Sequence, residues 1–192
     1  MRFWNALTVV MITGCFGTAQ AAPQKYVLQA DQSQVDFGWY LGPDEIKGTM
    51  PVASADIILD LENLQNSDVT VAVDVKGAKA GFPFATQGMK SKQILWAKEH
   101  PEILFESTRF VREGAKARVE GNLTVRGVTK PTVFIAELYR QRGTESGDHS
   151  KLAVHLTGSL SRSAFGADGW SDMAGDQINL SIIARMQIDQ PS

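Results

Sequence analysis

The sequence holds one cysteine in 192 residues, Cys15, and it falls inside the apolar leader. The part expected to fold therefore has no disulfide to hold it together. Histidine is nearly as scarce: His100, His149 and His155 are the only three, and none has a partner at metal-ligand spacing. No Gly-x-Ser-x-Gly, His-Glu-x-x-His, Walker or dinucleotide signature occurs. An excess of positive charge is missing too. Lys and Arg total 19 against 21 Asp and Glu, and no basic stripe breaks the balance. Such a surface suits neither nucleic acid nor an anionic membrane. Helical periodicity is almost absent.

The one long apolar run, Phe3 to Gly17, is too short and wrongly flanked for a membrane span. Arg2 precedes it, and Ala19-Gln20-Ala21 follows with small residues where a signal peptidase cuts. The expectation is export to the periplasm, with residues 1–21 removed and the mature chain starting near Ala22. Ile12-Thr13-Gly14-Cys15 also looks like a lipobox, so the alternative is a lipoprotein anchored through Cys15. The length to Ala21 is the more usual, which favours ordinary cleavage.

What the chain has in abundance is alternation. Val119 to Pro131 reads as a strand, a tight polar turn at Arg126-Gly127 and a second strand with Pro131 at its start. Val119, Gly121, Leu123 and Val125 lie on one side, and Glu120, Asn122 and Thr124 on the other. Val35-Phe37-Trp39, Val69-Val71-Val73-Val75, Leu152-Val154-Leu156 and Ile178-Leu180-Ile182 repeat the pattern. Eight to ten short strands joined by short turns predict an all-β, antiparallel sandwich or barrel. No linker or repeat divides residues 22–192, so they form one domain. The exception is Gly77 to Pro101, too long and too apolar for a plain loop. Ala85, Met89 and Trp96 are expected to share a face of a short helix there, and the segment packs as a lid over something.

The strand carboxylates Asp36, Asp74 and Glu120 fall on the polar registers, so no acid–base pair faces inward. His155 also alternates outward. An apolar interior remains, and in a barrel of about eight strands it either fills with side chains or holds one small ligand. Gly121, Gly158 and Ala184 lie on inward registers, where they either leave room or serve close packing. The expected walls are Phe37, Trp39, Val71, Val73, Phe105, Leu123 and Leu156, with Phe84, Met89 and Leu95 from the lid; core packing is the other reading of the wall residues.

Three segments in order carry a family likeness. Pro101-Glu102-Ile103-Leu104-Phe105-Glu106-Ser107, Gly121-Asn122-Leu123-Thr124-Val125-Arg126-Gly127-Val128-Thr129-Lys130-Pro131 and Arg162-Ser163-Ala164-Phe165-Gly166 resemble the motifs of the YceI-like family. The resemblance implies an exported, lipocalin-like antiparallel β-barrel that binds a long apolar lipid: a polyisoprenoid, an isoprenoid quinone or a fatty amide. It implies no catalysis and no cofactor beyond such a lipid. A membrane cytochrome of the b561 type is an implied partner, and a homodimer is left open. Arg126, Lys130 and Arg162 are candidates for a polar head group, with bracing of turns as the other reading, and Phe165 stands in the third motif. Many members carry an Asp-x-His pair where this chain has Thr86 and Gly88, which implies a different head or a plainer chain. Two other classes compete: an enzyme acting on the lipid inside the pocket, and an accessory subunit docking by an exposed apolar patch over a filled interior.

Overall fold

The computed structural model describes residues 22–141, 143–145 and 147–189; the leader with Cys15 lies outside them. Alternation becomes strands β1 (Gln24–Leu28), β2 (Gln34–Leu41), β3 (Asp44–Met50), β4 (Val52–Leu59) and β5 (Asp68–Asp74). A two-residue β6 (Lys79–Ala80) and helix α1 (Pro83–Lys90) follow. The chain then runs through β7 (Glu102–Glu113), β8 (Lys116–Val125), β9 (Val128–Arg140), β10 (Lys151–Ser161) and β11 (Gln177–Ile188). Every pairing is antiparallel, and the sheet closes because β1 pairs with both β4 and β11. The ring is β1-β4-β5-β7-β8-β9-β10-β11, an eight-stranded barrel.

Two of its staves are broken strands. A 3₁₀ turn at Ala30–Gln32 separates β1 from β2, and Pro51 alone separates β3 from β4. β11 serves both halves of the first stave, pairing β2 over Asn179–Ile183 and β1 over Met186–Ile188. The break places β2, β3 and β6 as a flap above β1 and β4, at the end of the barrel we call the top. Two excursions cross that end: a lid, residues 75–101, which includes α1, and a strap, residues 162–176, between β10 and β11.

The Arg126-Gly127 turn is a two-residue hairpin with φ of 53° and 76°, and the register brings Val125 opposite Val128. Both central residues with positive φ is the geometry whose twist matches the flanking strands. β9 therefore starts at Val128, and Pro131 sits inside the strand rather than at its start. In this register Pro131 faces Asn122 at a pair that exchanges no hydrogen bonds, so its nitrogen points away from β8. There the ladder to β10 has stopped, its last pair being Ile135 with Thr157. A missing N–H costs little at that place.

Gly121 and Gly158 face inward but leave no room. A Cβ on Gly121 would lie 2.5 Å from the Phe105 ring, and one on Gly158 2.7 Å from the Phe134 ring. Phe105 and Phe134 meet edge to face, their centroids 5.3 Å apart. Gly48 gives the same access to Phe37, which stacks on Trp39 at 5.9 Å. These glycines admit aromatic rings, so close packing is the reading that holds. Tyr26, Ile57, Leu152 and Met186 form a buried cluster toward the other, lower end of the barrel, on the side of β1, β4, β10 and β11. Each fully buried side chain of this size contributes roughly 1.5–3 kcal/mol.

Candidate functional site

Inward registers on the middle and upper staves behave differently from the lower plug. Val71, Val73, Ile103, Phe105, Leu156 and Leu180 point into the barrel yet are only half-buried. They border open space. That space is a cavity of about 1060 Å³, at the upper end of the roughly 300–1,000 Å³ usual for small-molecule sites. Among the described residues, apart from the indoles of Trp39 and Trp170, its lining carries polar side chains at six positions: Ser33, Arg112, Lys116, His149, Arg162 and Asp172.

The lid and the strap roof this space, and each is tied by its own chemistry. α1 begins with Pro83 in its first turn, where a missing N–H is harmless. Thr86 fastens it to β6: the Ala80 N–H donates to Thr86 Oγ1 at 2.9 Å. Gly88 lets the Trp170 ring lie on the helix, since a Cβ there would sit 2.6 Å from the ring. The helix ends at Lys90, with Ser91 as its cap, so Trp96 does not share its face with Ala85 and Met89. Trp96 instead sits in the following turns at φ 49°, its ring edge to face with His100 at 5.5 Å and under Lys92 Nζ at 5.0 Å.

Arg162 is buried at the base of the strap and holds it in shape. Its guanidinium donates to the carbonyls of Gly175 at 2.9 Å, Ala167 at 2.5 Å, Gly169 at 2.8 Å and Ala174 at 2.8 Å. Asp176 completes the base, its carboxyl held below the ordinary carboxylate range by the Ser161 hydroxyl and the Ser163 backbone N–H. Arg126 buckles the two excursions together. From the β8–β9 turn its guanidinium reaches the carbonyls of Lys92 at 3.1 Å and Gln93 at 3.5 Å in the lid and that of Gly166 in the strap.

Of the residues expected at a site, Phe37, Trp39, Val71, Val73, Phe105, Leu123 and Leu156 stand in the cavity wall. Phe84, Met89 and Leu95 join them from the lid, and Arg162 and Phe165 from the strap. Arg126 and Lys130 are not in the wall. Arg126 spends its donors on backbone carbonyls, and Lys130 lies exposed on β9 opposite Leu123. Thr86 and Gly88 are outside the lining as well, occupied by β6 and Trp170. Periodicity did not disclose Trp170 and Met173, which border the cavity from the strap. Their signal was composition, two large apolar residues in a run of Asp, Gly, Ser and Ala too short to be a strand. His155 faces outward, its Nε2 2.9 Å from Ser181 Oγ, while His149, exposed at the lower rim, borders the cavity.

A closed eight-stranded antiparallel barrel around an apolar cavity is a lipocalin-like architecture. The sequence matches the YceI-like domain over residues 26–186, and the chain belongs to that family. A UPF0312 protein of Pectobacterium atrosepticum is 26% identical over 145 residues, covering 75% of this chain and 76% of that one. Protein YceI of Salmonella arizonae is 28% identical over 126 residues, 65% of this chain and 66% of its own. Among solved structures, BcnA of Burkholderia cenocepacia superposes with a TM-score of 0.74 at 18% identity, over 83% of this chain and 99% of that one. A YCEI protein of Campylobacter jejuni gives 0.62 at 18% identity, over 98% and 100%. A variant of that protein has been crystallised with a monobromobimane guest. These two likenesses are likenesses of fold.

Proposed function

We propose that this protein binds and carries a long apolar lipid, of the polyisoprenoid, isoprenoid-quinone or fatty-amide class, inside the barrel, and that it does so in the periplasm after export. The single observation that carries the reading is the cavity of about 1060 Å³ with almost wholly apolar walls. Burying each methylene contributes about 0.8 kcal/mol, so two or three prenyl units give useful affinity without a strong polar contact. A polar head would find Arg162 and Asp172 near the top, or Arg112, Lys116 and His149 near the lower end. Binding rather than catalysis suits a wall whose charged groups stand at its ends and not along its length. A docking subunit with a vestigial pocket would have a filled interior, which an open cavity of this size does not favour.

Native mass spectrometry of the protein recovered from its own cell without detergent tests the reading. An added mass that extracts into organic solvent and matches a prenyl or acyl lipid is the expected result. A polypeptide that stays bare after incubation with quinones and polyprenols overturns it. Leu123→Arg places a charge in the wall and Trp39→Ala removes the stacked indole. Both are expected to lower lipid affinity tenfold or more, by about 1.4 kcal/mol at least, and by more than Arg126→Ala does.

A further inference from the structure

The two ends of the barrel are built from opposite materials. The lower rim carries ion pairs, Lys116 with Glu137 at 2.6 Å and Arg118 with Glu113 at 2.7 Å, and one large exposed apolar side chain at the cavity, Leu138. At the top, four side chains both border the cavity and stand in solvent. They are Phe84 at 74% exposed, Met173 at 60%, Trp170 at 40% and Phe82 at 38%. Phe82 and Phe84 come from the lid, Trp170 and Met173 from the strap. They are brought together by contact: the Trp170 ring lies on Gly88, one helical turn after Phe84, and the strap at Met173 accepts the Gly42 N–H at 3.0 Å. Trp170 is held at φ 55°, a left-handed conformation that a bulky residue seldom adopts.

We infer that this rim is a membrane-docking surface, which sets the mouth of the cavity into the interface of a lipid bilayer. The inference rests on the lipid-carrier reading for its purpose and on the rim for its evidence. An apolar chain leaving a bilayer through Phe84, Trp170 and Met173 enters the cavity without crossing water. Aromatic side chains with one polar edge, such as Trp170, favour the level of the lipid head groups. Size separates a bilayer from a protein partner. At these exposures, four side chains of roughly 150–250 Å² each offer on the order of 400 Å², half of the about 800 Å² that a stable protein interface buries on each side. A fluid bilayer demands no such matching area. The charges beside the rim are of both signs, Lys90 and Lys92 on the lid against Asp168 and Asp172 on the strap. The lipid surface that fits is therefore zwitterionic, and attachment to it is insensitive to salt.

The test uses protein recovered from the expressing cell, with parent and variants sharing one amino terminus, and vesicles of phosphatidylcholine. The parent is expected to float with the vesicles equally at low and high salt. Phe84→Ser combined with Met173→Ser is expected to lower the partition by about tenfold or more. Both side chains stand mostly in solvent, so the circular dichroism and melting point of the pair should match the parent. A parent that does not float, or a double variant that floats as well as the parent, overturns the proposal; the first outcome hands the rim to a protein partner. Farnesol added without vesicles reads the cavity separately, through isothermal titration calorimetry. Leu123→Arg, buried in the wall and not exposed at the rim, is expected to lose farnesol binding and still float. A parent that floats through the rim yet, after its lipid has been extracted and the chain refolded, takes up no farnesol sinks the carrier reading and leaves the docking surface standing.

Discussion

Three Gly–Phe contacts set the inner surface of the barrel, and each works because one partner has no Cβ. Gly121 admits the Phe105 ring, Gly158 the Phe134 ring and Gly48 the Phe37 ring. The methyl of an alanine would meet Phe105 and the Glu106 carbonyl at 2.5 Å in the first case. Gly121→Ala is therefore expected to destabilise the fold by about 1–3 kcal/mol, the usual cost of overpacking. Urea unfolding of the parent and the variant measures it, and an unchanged midpoint would mean that the ring swings into the cavity at no cost. The same residue-scale chemistry explains why Arg162 belongs to the strap. Its planar fork answers four carbonyls, which a lysine ammonium does not reproduce.

Among the elements, the β8–β9 turn carries the most consequence for access to the cavity, because Arg126 reaches from it to both roofing segments. Arg126→Ala removes that buckle without touching the wall. Amide exchange in residues 92–100 and 163–169 is expected to quicken while the β7, β8 and β11 ladders stay protected. Uniform acceleration would instead mark a general loss of stability. What the sequence disclosed and what it hid divide along the same line. Strands β5 and β7 to β11 were legible because inward registers of a closed barrel must alternate, and the same rule picked out Phe37, Trp39, Phe105, Leu123 and Leu156 as wall residues, whereas the two-residue β6 fell in the segment that shows no strand pattern. The roof obeys no period. Trp96 was misplaced on α1 because its spacing from Met89 suits a helix that Ser91 in fact ends. Trp170 and Met173 stayed hidden because their position depends on Arg162 and its carbonyl partners, a contact pattern that no local signal encodes. Pro131 marked a strand start by composition, but the tight turn had already begun the strand at Val128.

Across the whole molecule, both ends of the barrel are braced by carboxylates held below their ordinary range. Asp60 accepts N–H groups from Asn63 at 2.8 Å and from the Asn66 amide at 2.9 Å in the lower β4–β5 turn, and Asp176 accepts from Ser161 and Ser163 at the strap. A carboxyl whose folded pKa is depressed contributes stability above its unfolded value, near 3.9, and loses it as pH falls through the lower folded value. Asp60→Asn should therefore melt below the parent at neutral pH, and the gap should close below about pH 4. A gap that persists at low pH would show that charge was not the cause. The top of β9 has a consequence of another kind. From Val128 to Thr132 the strand has no ladder partner but β8 among the described residues, which leaves a short row of main-chain groups without a strand on the β10 side, beside the exposed Val128. Such a row is a template on which a neighbouring chain could add a strand, and Lys130 and Pro131 stand in the middle of it as a charge and a missing donor. Replacing them with isoleucine and valine should leave the melting point of dilute protein nearly unchanged while light scattering rises in concentrated stock. Lys130, expected from its charge to meet a polar head, then serves instead to keep the edge of β9 from pairing with a neighbouring chain.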